Sequence, residues 1–115
     1  MSAGLDPGGS VRLLLTTCPD EGTARGIART LVEERLIACG NVLPGISSIY
    51  RWRGTIEEAA ECLLLMKAPA ERLDAVAERL HALHPYDVPE LLVLDVERGA
   101  GPYLRWVVEE TTGDA

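Results

Sequence analysis

"NVLPGISSIYRWRGTIEEAAECLLLMKA", Asn41 to Ala68, decides the fold. It reads as two strands joined by a turn, with Gly54 supplying the positive φ that such a turn requires. Pro44-Gly45 marks a kink or bulge early in the first strand. In "CLLLM", Cys62, Leu64 and Met66 point one way and Leu63 and Leu65 the other. An antiparallel sheet with one wet face would alternate apolar and polar residues, and this strand does not.

Working outward, "VRLLLTT" (Val11 to Thr17) is a short apolar strand ended by Pro19. "PDEGTARGIARTLVEERLIA" follows as a helix, with Ala24, Ile27, Ala28, Leu31 and Val32 at helical spacing and Leu36 continuing the stripe. Asp20 is its N-cap and Gly40 lies just past its end. Beyond the hairpin, "PAERLDAVAERLHALH" places Leu73, Val76, Ala77, Leu80 and His84 on one helix face. Pro85 disfavours the α conformation at His84 and stops this helix. "ELLVLDVE" is a fourth strand, and Gly101-Pro102 opens a short helix with Leu104, Val107 and Val108 inward.

The order is β-α-β-β-α-β plus a terminal helix: an α+β, ferredoxin-like split βαβ with an antiparallel sheet and two helices on one face. We expect a flexible tail over 1–10, a single domain over 11–110 and a C-terminal tail over 111–115. "LLL" (Leu13 to Leu15) and "LLVL" (Leu91 to Leu94) are, like "CLLLM", apolar on both sides. The second sheet face must be covered, and self-association is the expected cover.

The 115 residues carry 18 acids against 11 bases, a net charge of −7. That balance argues against nucleic acid and against a polybasic membrane contact. No apolar run is long enough to span a bilayer. The start, "MSAGLDPGGS", lacks the pattern of a signal peptide. Three cysteines without a C-x-x-C spacing suggest reduced thiols and a cytoplasmic protein. The core must be aliphatic, since the chain has no Phe.

The topology brings the end of the first strand (Thr16, Thr17, Cys18) beside the start of the fourth (Glu90). The second helix delivers "HPYDVPE" (His84 to Glu90) to the same edge, so Cys18, His84, Tyr86, Asp87 and Glu90 share a neighbourhood. Thiol, imidazole and carboxylate together suit copper or zinc. The same residues also read as structure: Cys18 as a small buried residue, His84 as a helix C-cap, Tyr86 as core with its hydroxyl bonded. Cys39 and Lys67 lie at the opposite edge. Tyr50 and Trp52 share one strand face near the hairpin tip, where an aromatic pair meets a neighbouring subunit. No nucleotide-binding glycine motif and no recognisable nucleophile–base set is present.

These residues carry a resemblance. A-C-x-N (Ala38 to Asn41), P-G (Pro44-Gly45), S-I-Y-x-W-x-G (Ser48 to Gly54), Glu61, H-P-Y-x-x-P-E (His84 to Glu90) and Y-L-x-W (Tyr103 to Trp106) resemble the CutA family of divalent-cation tolerance proteins. The resemblance implies a homotrimer that binds copper or another divalent metal, needs no cofactor to fold and is not an enzyme. Taken with the shared neighbourhood above, we expect His84, Cys18 and Glu90 as metal residues, and the resemblance implies Tyr86, Trp52, Tyr50, Glu61, Lys67 and Cys39 in clefts between subunits. Some members carry a metal-binding Cys at the position of Thr16; here Cys18 shares that strand face. Two other readings follow: a PII-like trimer sensing an anionic metabolite through Lys67 and the hairpin arginines, or a purely structural trimer.

Overall fold

The computed structural model describes residues 4–113. Its centre is the hairpin of β3 (Cys39–Trp52) and β4 (Thr55–Pro69). Trp52 pairs with Thr55, so Arg53 and Gly54 alone make the turn, with φ of 51° and 83°. Two positive φ values in a two-residue turn match the right-handed twist of the strands. The register slips between Leu43 and Ile46, at Pro44 and Gly45, where the sequence marks a bulge.

β2 (Val11–Cys18) lies antiparallel to β4, and β5 (Leu92–Asp95) antiparallel to β2, giving the sheet order β3-β4-β2-β5. This is the ferredoxin-like order expected. α1 (Glu21–Glu33) and α2 (Leu73–Leu83), the latter entered through a 3-10 turn at Ala70–Arg72, pack on one face. Their buried residues Ala24, Ile27, Leu31, Val76 and Leu80 meet Leu14, Cys18, Cys62, Leu64 and Met66 from the strands. Asp20 caps α1, its Oδ1 accepting from the Thr23 N–H at 2.7 Å.

Several boundaries differ from the sequence reading. α1 stops at Glu33 because Arg35 turns left-handed at φ 58°. Leu36 and Ile37 reach the core from the loop, and Gly40 lies inside β3. Val32, Ala77 and Val108, expected inward, are exposed. The flexible tail expected over 1–10 is a correction from Leu5 onward. β1 (Leu5–Pro7) pairs antiparallel with β6 (Arg98–Ala100), and the Gly8 N–H donates to Glu97 O at 3.0 Å. Gly8 lies so close to Val96 that a Cβ would overlap its carbonyl oxygen. Residues 1–3 lie outside the described residues. The C-terminal tail is likewise anchored at its start: Thr111 is buried, and Arg72 donates to Thr111 O and Gly113 O.

α3 (Gly101–Glu110) does not join α1 and α2. Leu104 and Val107 pack on Val11 and Ala38 at one end of the sheet. The remainder of that face is open. Leu43, Leu92 and Leu94 are exposed there, and Leu13, Leu15, Leu63 and Leu65 are only partly buried. Past Cys62, which pairs with Cys18, β4 loses β2 as a neighbour. From Ile46 to Glu61 the hairpin continues as a two-stranded arm.

Candidate functional site

The corner at the base of that arm is built by His84. Pro85 forces the helix to end, and His84 is extended at φ −79°, ψ 136°, with its N–H bonded to Leu80 O at 2.8 Å. The imidazole is only 7% exposed. Nε2 lies 2.8 Å from the Thr17 carbonyl oxygen, and Nδ1 lies 3.1 Å from the Tyr86 backbone nitrogen. A carbonyl oxygen only accepts and a backbone N–H only donates, so the ring is the neutral Nε2–H tautomer. The histidine stitches the end of β2 to the turn that follows α2.

Tyr86 lies beside it, the two rings tilted by 44° with centroids 4.8 Å apart, and its hydroxyl donates to Glu61 Oε2 at 2.7 Å. Burial, then the hydrogen bond to Glu61 and its charge, push the Tyr86 phenol well above its ordinary value. Cys18 Sγ sits 3.9 Å from His84 Nε2. Burial, then Cys62 and the carboxylates of Asp20 and Glu61, push the Cys18 thiol up to about 11. Cys18 is therefore a neutral thiol at neutral pH.

The expected metal trio does not assemble in this geometry. Both nitrogens of His84 are engaged, so no lone pair faces an ion. Cys18 lies on the helix-covered face, whereas Glu90 lines a groove on the open one, with Thr17, Glu61, Tyr50, Trp52 and Val88. Among the described residues, no three His, Cys, Asp or Glu side chains stand together as a metal-ligand group. His81 is exposed at the end of α2. As arranged, these residues do not fit a copper or zinc ion.

The groove has a volume of about 420 Å³. Glu61, fixed by Tyr86, lines it at the root of the arm. Trp52, 50% exposed and with the Arg53 guanidinium 5.5 Å from its ring, stands toward the tip. Cys39 and Lys67 meet at the other end of the open face, as the topology predicts. They are direct cross-strand partners, with Lys67 Nζ 4.0 Å from Cys39 Sγ and hydrogen-bonded to Asn41 Oδ1. Tyr103 joins this group: burial and its hydrogen bond with Cys39 raise its pKa. Sequence reasoning named Asn41 and Tyr103 only as parts of A-C-x-N and Y-L-x-W, and pairing those motifs across the sheet would have found the cluster.

The fold and site define a small ferredoxin-like α+β protein with an unfinished sheet face and a carboxylate-lined groove at one end. The chain belongs to the CutA1 divalent ion tolerance protein family, whose model matches residues 12–110. It is 48% identical to the divalent-cation tolerance protein CutA of Thermus thermophilus, over 86% of this chain and 96% of that one. The solved Thermus structure superimposes with a TM-score of 0.85, covering 87% of this chain and 97% of its own. Human protein CutA is 45% identical over 93% of this chain, which spans 61% of the human protein's length. A structure from Archaeoglobus fulgidus, 33% identical with a TM-score of 0.85, covers 88% of this chain and 98% of its own, and that protein is described as periplasmic. No helix among the described residues is long and apolar enough to cross a membrane.

Proposed function

We propose that the protein serves divalent-cation tolerance as a homotrimer, binding cations in the groove rather than catalysing a reaction. The observation that carries this is the join between the groove and the open face. An isolated two-stranded arm is marginal in water, yet Ile49, Tyr50, Trp52 and Ile56 are exposed on it. Leu92 and Leu94 continue the apolar surface onto β5. Copies of the same chain would bury the arm and close the groove over Glu61 and Glu90. Hard and borderline divalent ions favour such carboxylates. Three free cysteines support a reducing, cytoplasmic setting.

Calorimetric titration with Cu²⁺ and Zn²⁺, on the parent and on Glu61→Gln with Glu90→Gln, tests the groove. The parent should bind and the double variant should bind at least tenfold more weakly. Equal binding by both would remove the groove from the account. Lys67 on the open face favours a second reading, a PII-like sensor of an anionic metabolite, and a nucleotide titration of the same protein tests it. If neither ion nor nucleotide binds, the trimer is a structural or interaction module.

A further inference from the structure

Cys39 and Lys67 face each other across β3 and β4, on the open side of the sheet and beside the end where α3 packs. Among the 11 lysines and arginines of the chain, Lys67 is the only lysine. Arginine stands at every other basic position, so this one is set apart by its primary amine rather than by its charge. An amine can lose its proton and act as a nucleophile, whereas a guanidinium stays charged. Cys39 is the partly exposed member of the three free thiols; Cys18 and Cys62 are buried. Reactive cysteines sit partly exposed beside a cation, and buried ones are inert. We infer that Cys39 and Lys67 form an oxidant-responsive site, which hydrogen peroxide closes into a reversible covalent Nζ–O–Sγ bridge. The site is separate from the cation groove and does not depend on it.

The reacting atoms are already gathered. Lys67 Nζ lies 4.0 Å from Cys39 Sγ. Both hydrogen-bond Asn41 Oδ1, the thiol donating at 3.7 Å. Asn41 is the next residue on that face of β3, so one amide oxygen holds amine and thiol together. Tyr103 of α3 also hydrogen-bonds Cys39. Separation then selects the product. A direct sulfur–nitrogen bond would require the two atoms to close by more than half their distance. A single bridging oxygen requires far less, and rotation of the long lysine stem supplies it with the strands in place. Cys18 and Cys62 belong to the core beneath the helices, so neither offers Cys39 a disulfide within the chain.

The step balances with two molecules of hydrogen peroxide. The first oxidises the Cys39 thiol to a sulfenic acid and releases water, sulfur losing two electrons. The second displaces that hydroxyl as water and leaves a hydroperoxide on sulfur, with no change in oxidation state of sulfur. Lys67, its ammonium proton given to solvent, attacks the sulfur-bound oxygen. The N–O bond forms, the O–O bond breaks, and nitrogen loses two electrons. The hydroxide that leaves takes a proton from the amine as a third water. The product lacks the Lys67 charge and ties β3 to β4. Four electrons from a thiol reductant return the thiol, the amine and water.

The test treats the assembled full chain with hydrogen peroxide, quenches and unfolds it, and digests it with a protease that cuts only after lysine. The untreated chain should be cut once, at Lys67. The treated chain should resist, and its mass should show one oxygen gained and two hydrogens lost. Excess dithiol should restore both the mass and the cut. Peptide mapping should join Cys39 to Lys67. Cys39→Ser and Lys67→Arg should give no such product, whereas Cys18→Ala should give it in full. Circular dichroism checks that the variants fold, and if one does not, the mapped peptide of the parent decides. Three results would overturn the assignment: Cys39 oxidised only to sulfinic or sulfonic acid, a link without the added oxygen, or a bridge that persists in Lys67→Arg.

Discussion

The two faces of the sheet are written with the same residue types and meet different fates. Leu64 and Leu65 are neighbours in β4, yet Leu64 is wholly buried under the helices while Leu65 is partly exposed on the open face. One face is finished by the chain's own α1 and α2. The other has α3 at one end only and runs out onto an unsupported arm. Apolar content alone therefore does not say what a surface is for. What matters is whether the chain has anything left to cover it.

The comparison breaks most sharply with a charge on each face. Leu64→Lys puts an unpaired ammonium into the aliphatic core, at a cost of several kcal/mol, and circular dichroism should find no folded protein. Leu92→Lys, on the open face, should leave the fold intact and lower the assembled mass in light scattering. If Leu92→Lys unfolds the chain, the open face is part of the monomer's own core.

Next in size is the corner. His84→Ala removes a buried ring and strands the Thr17 carbonyl and the Tyr86 N–H, each about 1–3 kcal/mol when left unpaired. We expect a loss of roughly 2–4 kcal/mol in urea unfolding. His81→Ala, on an exposed turn, should change stability by less than about 0.5 kcal/mol.

A smaller effect is set by pH. The Cys18 thiol has an ordinary value of 9.0 and is raised to about 11 in the folded chain. Its contribution is complete below about pH 9, where both states are protonated, and declines as pH rises toward 11, because the unfolded chain releases the proton first. The loss is about 3 kcal/mol at most, and Cys18→Ala should flatten that part of the stability curve.

Much of the fold was legible because local chemistry and global topology agree. Asp20 caps, Pro85 ends a helix, Pro44-Gly45 makes a bulge, and the double-sided strands foretell an uncovered face. The left-handed Arg35 and Arg53 were not legible, since nothing local marks a non-glycine residue for that conformation. The strand at Leu5–Pro7 was hidden because its partner, Arg98–Ala100, lies at the far end of the chain. Among site residues, the meetings of Cys18 with His84 and of Cys39 with Lys67 followed from strand directions. The fate of His84 did not. Its partners are two backbone groups, which leave no trace in side-chain identity, so a residue that reads as a ligand is a stitch. Cys62 lies in the core, opposite Cys18.

Closure of the open face by copies of the chain would bury the arm and complete the groove. Light scattering of the purified protein at micromolar concentration tests this directly. It should return about three times the 12.4 kDa chain mass, unchanged on tenfold dilution. A stable species at the mass of a single chain would contradict it, leaving both the exposed arm and the groove without explanation.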